Sequence, residues 1–383
     1  MNKIELYKGY LAQDPTNEIL ILSLAQLLHE NGKFTESLSL LDNLLLDQPN
    51  HEIALSRKAS VLISNGSASE AKEILQSLTN TNTISVEIKH NLAVAIFYNK
   101  EIDHAISEFE KLQEITNLEA SSNKYLAACF YSKGDFEKAI DYINKAISIE
   151  PTDYLKGFES VILYTSGQIK HAIEVANSVL QTSPENLDAL SVMGTYCIEQ
   201  FETAKAISHF EKMRSINKND CRAFNGLGLC LMQNGNSLEA IKNFNQAVYL
   251  SPTNLGYIAV LAWSYINTQN FDQAVSTFKQ ALEIENNFAE GHGGLATAYM
   301  YRSQIDLAEK HCAIAFKLDK QCFSAIYCQS VLLTLKGKME VGQKILAKVL
   351  DQPLRPGEPS LAQMIQKQAL KQQPATTNQS RLN

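Results

Sequence analysis

The sequence has no run of lysine or arginine, and its 34 basic side chains are outnumbered by 41 acidic ones, giving a net charge of −7. Binding to a phosphate backbone needs a basic face that releases counterions, so this balance weighs against nucleic acid. Long apolar runs are missing too. The most apolar stretch, residues 19–28, is far shorter than the roughly 20 residues a membrane span needs, and it contains Ser23 and Gln26. At the N-terminus Lys3, Glu5 and Lys8 fall where a secretory leader would need unbroken apolar sequence. No membrane span is expected, and the expected location is cytoplasmic.

Seven cysteines make an odd count, and no two stand at CxxC spacing. Neither a disulfide framework nor a zinc site is indicated, which suits a reducing compartment. Most of the cysteines fall at packing positions of the pattern described below, among them Cys129, Cys197, Cys230 and Cys312. A free cysteine there behaves as a small hydrophobe. The eight histidines are scattered without HExxH or a His/Cys cluster. GHGGLA at 291–296 and GLG at 226–228 complete neither a dinucleotide-binding nor a phosphate-loop pattern. The expectation is a protein that is not an enzyme and needs no cofactor or metal.

What the sequence has in quantity is repetition. The segments GKFTESLSLLDNLLLDQPNH, GDFEKAIDYINKAISIEPTD, GNSLEAIKNFNQAVYLSPTN and QNFDQAVSTFKQALEIENNF begin at residues 32, 134, 235 and 269. These starts are multiples of 34 apart with one residue dropped, a period that belongs to stacked repeats. Within one unit, Leu126, Ala127 and Phe130, then Ala139, Ile143 and Ala146, have the 3- and 4-residue spacing of two amphipathic helices. Gly134 suits a left-handed residue closing the first helix, Asp135 an N-cap for the second, and Pro151 the stop after it.

This pattern resembles the tetratricopeptide repeat family. Units starting at Glu18, Glu52, Val86, Ala120, Asp153, Leu187, Cys221, Leu255, Ala289 and Phe323 place small residues at positions 8 and 20, such as Ala127 and Ala139, and bulk at position 24, such as Phe109, Phe210, Phe244 and Phe278. Small residues are required where helices cross closely. The missing residue is placed in the fifth unit, where Lys156 and Glu159 occupy apolar positions. The expected fold is all-α, a right-handed superhelical solenoid of antiparallel helix pairs. Its expected parts are a capping half-repeat at 1–17 with Tyr7 and Tyr10, ten repeats at 18–354, a capping helix at 355–373 around Leu361, Met364 and Ile365, and a disordered tail at 374–383.

The resemblance implies a function in binding. In this family the first helices line a concave face, and ligands touch positions 2, 5, 9, 12 and 13. Here those positions and their neighbours carry Phe97, Tyr98, Tyr131, Tyr164, Met232, Trp263, Ile266, Met300, Tyr301 and Tyr327, residue types enriched at interface cores. Gly293 and Gly294 are expected either to let the Trp263 ring lie against the next helix or to open a pocket with Trp263 as its floor and Met300 and Tyr301 on the rim. The carboxylate clamp of chaperone-binding members is absent: Lys124 has Ala128 where the clamp needs asparagine. The asparagine ladder of sugar-transferase superhelices is absent as well, with Asn91 alone at its position. The expected function is a non-catalytic scaffold gripping an extended or helical segment of a protein or peptide partner. The alternatives are a regulatory or assembly subunit, or a cargo chaperone, of an enzyme or secretion machine, and an RNA-binding helical-repeat protein.

Overall fold

The structure, a computed structural model, describes residues 3–78, 85–353, 360, 362, 363 and 366. The expected C-terminal capping helix, including Leu361, Met364 and Ile365, and the tail at 374–383 therefore lie largely outside the described residues. A first helix, α1 (Lys3–Gln13), precedes ten helices that begin where the repeat register begins: α2 (Glu18–Glu30), α4 (Glu52–Ser64), α6 (Val86–Tyr98), α8 (Ala120–Ser132), α10 (Asp153–Thr165), α12 (Leu187–Glu199), α14 (Cys221–Gln233), α16 (Leu255–Asn267), α18 (Ala289–Tyr301) and α20 (Phe323–Leu335). Each is followed by its partner: α3 (Phe34–Asp47), α5 (Ala68–Leu78), α7 (Ile102–Ile115), α9 (Phe136–Ile149), α11 (Ile169–Thr182), α13 (Thr203–Ile216), α15 (Ser237–Leu250), α17 (Phe271–Ile284), α19 (Ile305–Leu318) and α21 (Met339–Leu350). No strand occurs among the described residues, where Pro353 and Ser360 form an isolated bridge. The helices divide into two compact units, Met1–Leu163 and Tyr164–Asn383.

The turn inside every pair has one solution. The residue after the first helix's C-cap has positive φ in all ten repeats, and six of the ten are glycines, Gly134 among them at 75°. Lys100, Phe201, Gln269 and Ser303 hold the same conformation without glycine's freedom. Asp135 caps α9 by accepting from the Lys138 amide. Asn17, Ser85, Asn186 and Asn254 do the same for first helices, satisfying amides that a helix start leaves open.

The dropped residue lies elsewhere than the fifth unit. The turn from α9 to α10 is 150–152, one residue shorter than the equivalent turns at 116–119 and 183–186. A surface turn absorbs a deletion more cheaply than a packed helix. Helix α10 keeps its start at Asp153 and buries Leu155, Ser160, Ile162 and Leu163, leaving Lys156 and Glu159 half-buried.

Packing within and between repeats turns on the residue at position 24. Phe109, Phe210, Phe244 and Phe278 are buried. A Cβ on Gly194 would come within 2.6 Å of the Phe210 ring, and one on Gly226 within 2.4 Å. Gly194 belongs to the same repeat as Phe210 and Gly226 to the next, so one ring fills space in both. Gly228 against Phe244 and Gly294 against Phe278 repeat these contacts at 2.4 and 2.1 Å. Substituting Gly226→Ala should therefore destabilise the protein by about 1–3 kcal/mol, the usual range for overpacking. Thermal unfolding checks this, and an unchanged midpoint would show that the Phe210 ring moves aside freely.

Candidate functional site

The expected site residues fall into two groups, one in each unit. In the first unit Phe97 and Tyr98 close α6 and meet edge to face at 5.3 Å. Both rings approach Tyr125 of α8, at 5.8 and 6.1 Å, and Tyr125 in turn stacks on Phe109 at 6.2 Å. The Lys124 ammonium lies 4.3 Å from the Tyr125 centroid and 5.3 Å from that of Tyr154, within the range of cation–π attraction. Burial, followed by the neighbouring Tyr98, pushes the Tyr125 phenol far above its ordinary range. Tyr131 is half-buried against Phe136 and Phe158, each at 6.0 Å. Tyr98 is 47% exposed and Tyr154 58% exposed, so this cluster reaches solvent.

In the second unit Trp263 is half-buried, its ring edge to face with Phe278 at 5.9 Å. Its indole N–H donates to Glu290 Oε1 at 2.9 Å. The other carboxylate oxygen accepts from the Ser324 hydroxyl at 2.8 Å. Burial pushes the Glu290 carboxyl above the usual range, and these hydrogen bonds offset part of that. Nearby, Tyr301 stacks on Phe271 at 5.2 Å and shares a 2.6 Å hydroxyl hydrogen bond with Tyr327. Tyr301 is 43% exposed; Met232, Ile266 and Tyr327 are half-buried.

Three of the expected residues sit differently. Met300 and Tyr164 are buried, and so present no surface. The room beside Gly293 is filled rather than open: a Cβ there would lie 2.0 Å from Ser324 Oγ and 2.8 Å from the Ala325 amide nitrogen. The room beside Gly294 holds the Phe278 ring, 2.1 Å from a Cβ. The two glycines let α18 approach α20 and α17, and the expectation that they open a pocket is corrected accordingly. Tyr125, Tyr154 and Glu290 were missed. Tyr154 and Glu290 stand at position 2, one of the ligand-contacting positions; a search for Tyr, Trp and Met passes over the Glu290 carboxylate, whereas Tyr154 was legible in the sequence.

A second polar pair joins α18 to α19. His292 Nδ1 and His311 Nδ1 are 3.0 Å apart, and His292 Nε2 is 3.0 Å from the Asn286 carbonyl. Burial first, then His292, Lys310 and Lys279, lowers the His311 pKa to about 4. Among the described residues no three metal-ligating side chains gather.

Residues 120–153, and residues 4–59 and 231–298, match families described as tetratricopeptide repeat. Paired helices stacked at this period define a helical-repeat solenoid. Over the matched residues the chain carries tetratricopeptide repeats. The bovine BBSome complex member BBS4 is 24% identical over 237 residues, covering 61% of this chain and 45% of that protein. The chain thus spans under half the length of that relative. A crystal structure of the APC/C hetero-tetramer Cut9–Hcn1 superposes with TM-score 0.58 and 18% identity, over 76% of this chain and 58% of that one. The human IFIT1 dimer with m7Gppp-AAAA gives 0.58 and 17%, over 86% and 88%. At these identities the structures share the fold. No described helix is long and apolar enough to cross a membrane.

Two measurements probe these polar groups. Glu290→Ala strands the Trp263 N–H and the Ser324 hydroxyl, which should cost about 1–3 kcal/mol and shift the tryptophan emission, whereas Glu290→Gln keeps an acceptor. Unfolding with fluorescence detection compares the two. For His311 the folded pKa lies below the unfolded value of 6.5, so the unfolded chain binds protons first. Stability contributed by the neutral ring is complete above pH 6.5 and is lost as pH falls toward about 4. His311→Gln should flatten the melting profile in that window.

Proposed function

We propose that the protein is a non-catalytic scaffold whose first helices hold an extended or helical segment of a protein partner. The observation that carries this reading is solvent-reaching aromatic surface at equivalent helix positions: Tyr98 at 47% exposure in one unit and Tyr301 at 43% in the other. Phe97 lies beside Tyr98 and Tyr327 beside Tyr301, and Tyr131, Trp263 and Ile266 are half-buried on other first helices. Rings in such a setting offer large contact area at low conformational cost, and a repeated helix face supplies many shallow contacts along a segment.

A more particular reading places the chain as an assembly subunit of a larger complex. It draws support from relatives named as complex members, BBS4 of the BBSome and Cut9 of the APC/C. Human IFIT1 carries capped RNA on the same fold, whereas the net charge of −7 here favours a protein partner.

The test is affinity capture with the wild-type chain and with Tyr98→Ala/Tyr301→Ala. A stoichiometric protein partner should be retained by the wild type and weakened by about 2 kcal/mol or more, roughly 30-fold, in the double variant. Tyr249→Ala, which truncates a 78%-exposed ring on a second helix, should bind as the wild type does. Equal retention by all three chains would remove the first-helix face as the binding surface. Co-purifying nucleic acid with high absorbance at 260 nm would replace the protein reading with RNA.

A further inference from the structure

The contact between position 24 and position 6 of the next repeat recurs along the chain. Phe210 meets Gly226 there, Phe278 meets Gly294, and Phe109 stacks on Tyr125. Between α19 and α20 the same two positions are both cysteine, Cys312 and Cys328. Cys312 Sγ lies 3.4 Å from the carbonyl of Ala325, one turn before Cys328 on α20. The contact that these two positions make in the other repeats sets the Cys328 thiol facing Cys312. A sulfur where other repeats place a ring leaves room, and a cavity of about 470 Å³ opens at this point. Cys312, Phe316, Leu332 and Lys336 help to line it. Cys328 lies behind Cys312, fully buried.

We propose that Cys312 and Cys328 form an oxidative modification site, a dithiol that a peroxide entering this cavity converts to a disulfide. The chemistry balances with hydrogen peroxide as the oxidant. The Cys312 sulfur attacks one peroxide oxygen; an S–O bond forms, the O–O bond breaks, and the departing oxygen takes the Cys312 proton and leaves as water. The Cys328 sulfur then attacks the sulfenic sulfur of Cys312; the S–S bond forms, the S–O bond breaks, and the leaving hydroxide takes the Cys328 proton as a second water. Two thiols lose two electrons and one peroxide gains them.

The surroundings assign the roles. Cys312 lines the cavity and Cys328 does not, so a peroxide meets Cys312 first, and the neighbouring Cys328 holds the Cys312 thiol below its ordinary range. Burial pushes Cys129 up to about 12 and, as the largest cause, Cys230 up to about 11, which keeps those thiols protonated. The disulfide would clip the second helix of one repeat to the first helix of the next, fixing an interface that is otherwise held by packing.

The experiment oxidises the folded full chain with dilute hydrogen peroxide, blocks the remaining thiols and maps the peptides. The seven free thiols should fall by two. Chymotryptic cleavage after Tyr327 separates Cys322 from Cys328, and the linked pair should be Cys312 with Cys328. In Cys328→Ser the link should vanish and a dimedone-reactive sulfenic acid should appear on Cys312. The proposal is overturned if the folded chain keeps seven thiols at a peroxide dose that oxidises the unfolded chain, or if the link joins other cysteines. The wild-type map decides this even where the serine variant folds poorly.

Discussion

The ring at position 24 is seated against a small residue of its own repeat and a small residue of the next. Phe210 illustrates the constraint: Gly194 on one side and Gly226 on the other each leave less than 3 Å for a Cβ. Burying a phenylalanine contributes roughly 1.5–3 kcal/mol, and here the same ring ties three helices together. Stability accumulates by such nearest-neighbour contacts rather than through one large core. The recurring spacing of small and large residues along the sequence is the trace of this arrangement, because a ring seated at a crossing favours a small residue opposite it.

Variation at that contact gives each repeat its character. At Phe109 the next repeat offers Tyr125 instead of glycine, and the two rings stack at 6.2 Å. Tyr125 then reaches Tyr98 and Lys124, so a packing position in the core is continuous with the solvent-reaching cluster. At Phe278 the glycine returns, and with Gly293 it draws α18 close enough for Glu290 to accept from both Trp263 and Ser324. The candidate face is shaped by the same residues that set the helix spacing.

This explains what the sequence disclosed and what it concealed. Helix starts were legible because small residues recur at fixed spacing, and Ala139, Ala172 and Ala206 are all fully buried at one position. The turn was legible in Gly134 and hidden at Phe201 and Gln269, where a non-glycine takes the same left-handed conformation. The pair Gly293 and Gly294 signalled close approach correctly, but a glycine in a sequence cannot say whether the space it leaves is open or filled by another chain segment. Ser324 and Phe278 fill it. Glu290 escaped notice because its importance lies in a partner 27 residues earlier, Trp263, and its own side chain type marks an ordinary exposed residue.

Under the proposed function, the polar atoms on the candidate face matter as much as the rings. The Trp263 N–H is bound to Glu290, and the hydroxyls of Tyr301 and Tyr327 are bound to each other. Groups paired internally do not have to be stripped of water by a partner, and they hold their rings in fixed rotamers before any partner arrives. Both effects reduce the cost of association, since ordering a flexible side chain at an interface takes about 0.5–1.5 kcal/mol. Each unit would thus present rigid ring edges, with selectivity arising from their spacing along its helices and, in the first unit, from the Lys124 ammonium held over Tyr125. Within the first unit, a segment with apolar side chains spaced to meet Phe97, Tyr98 and Tyr131 and an acidic group near Lys124 is the ligand this arrangement fits, and one whose anchors are out of step would lose contact at more than one ring.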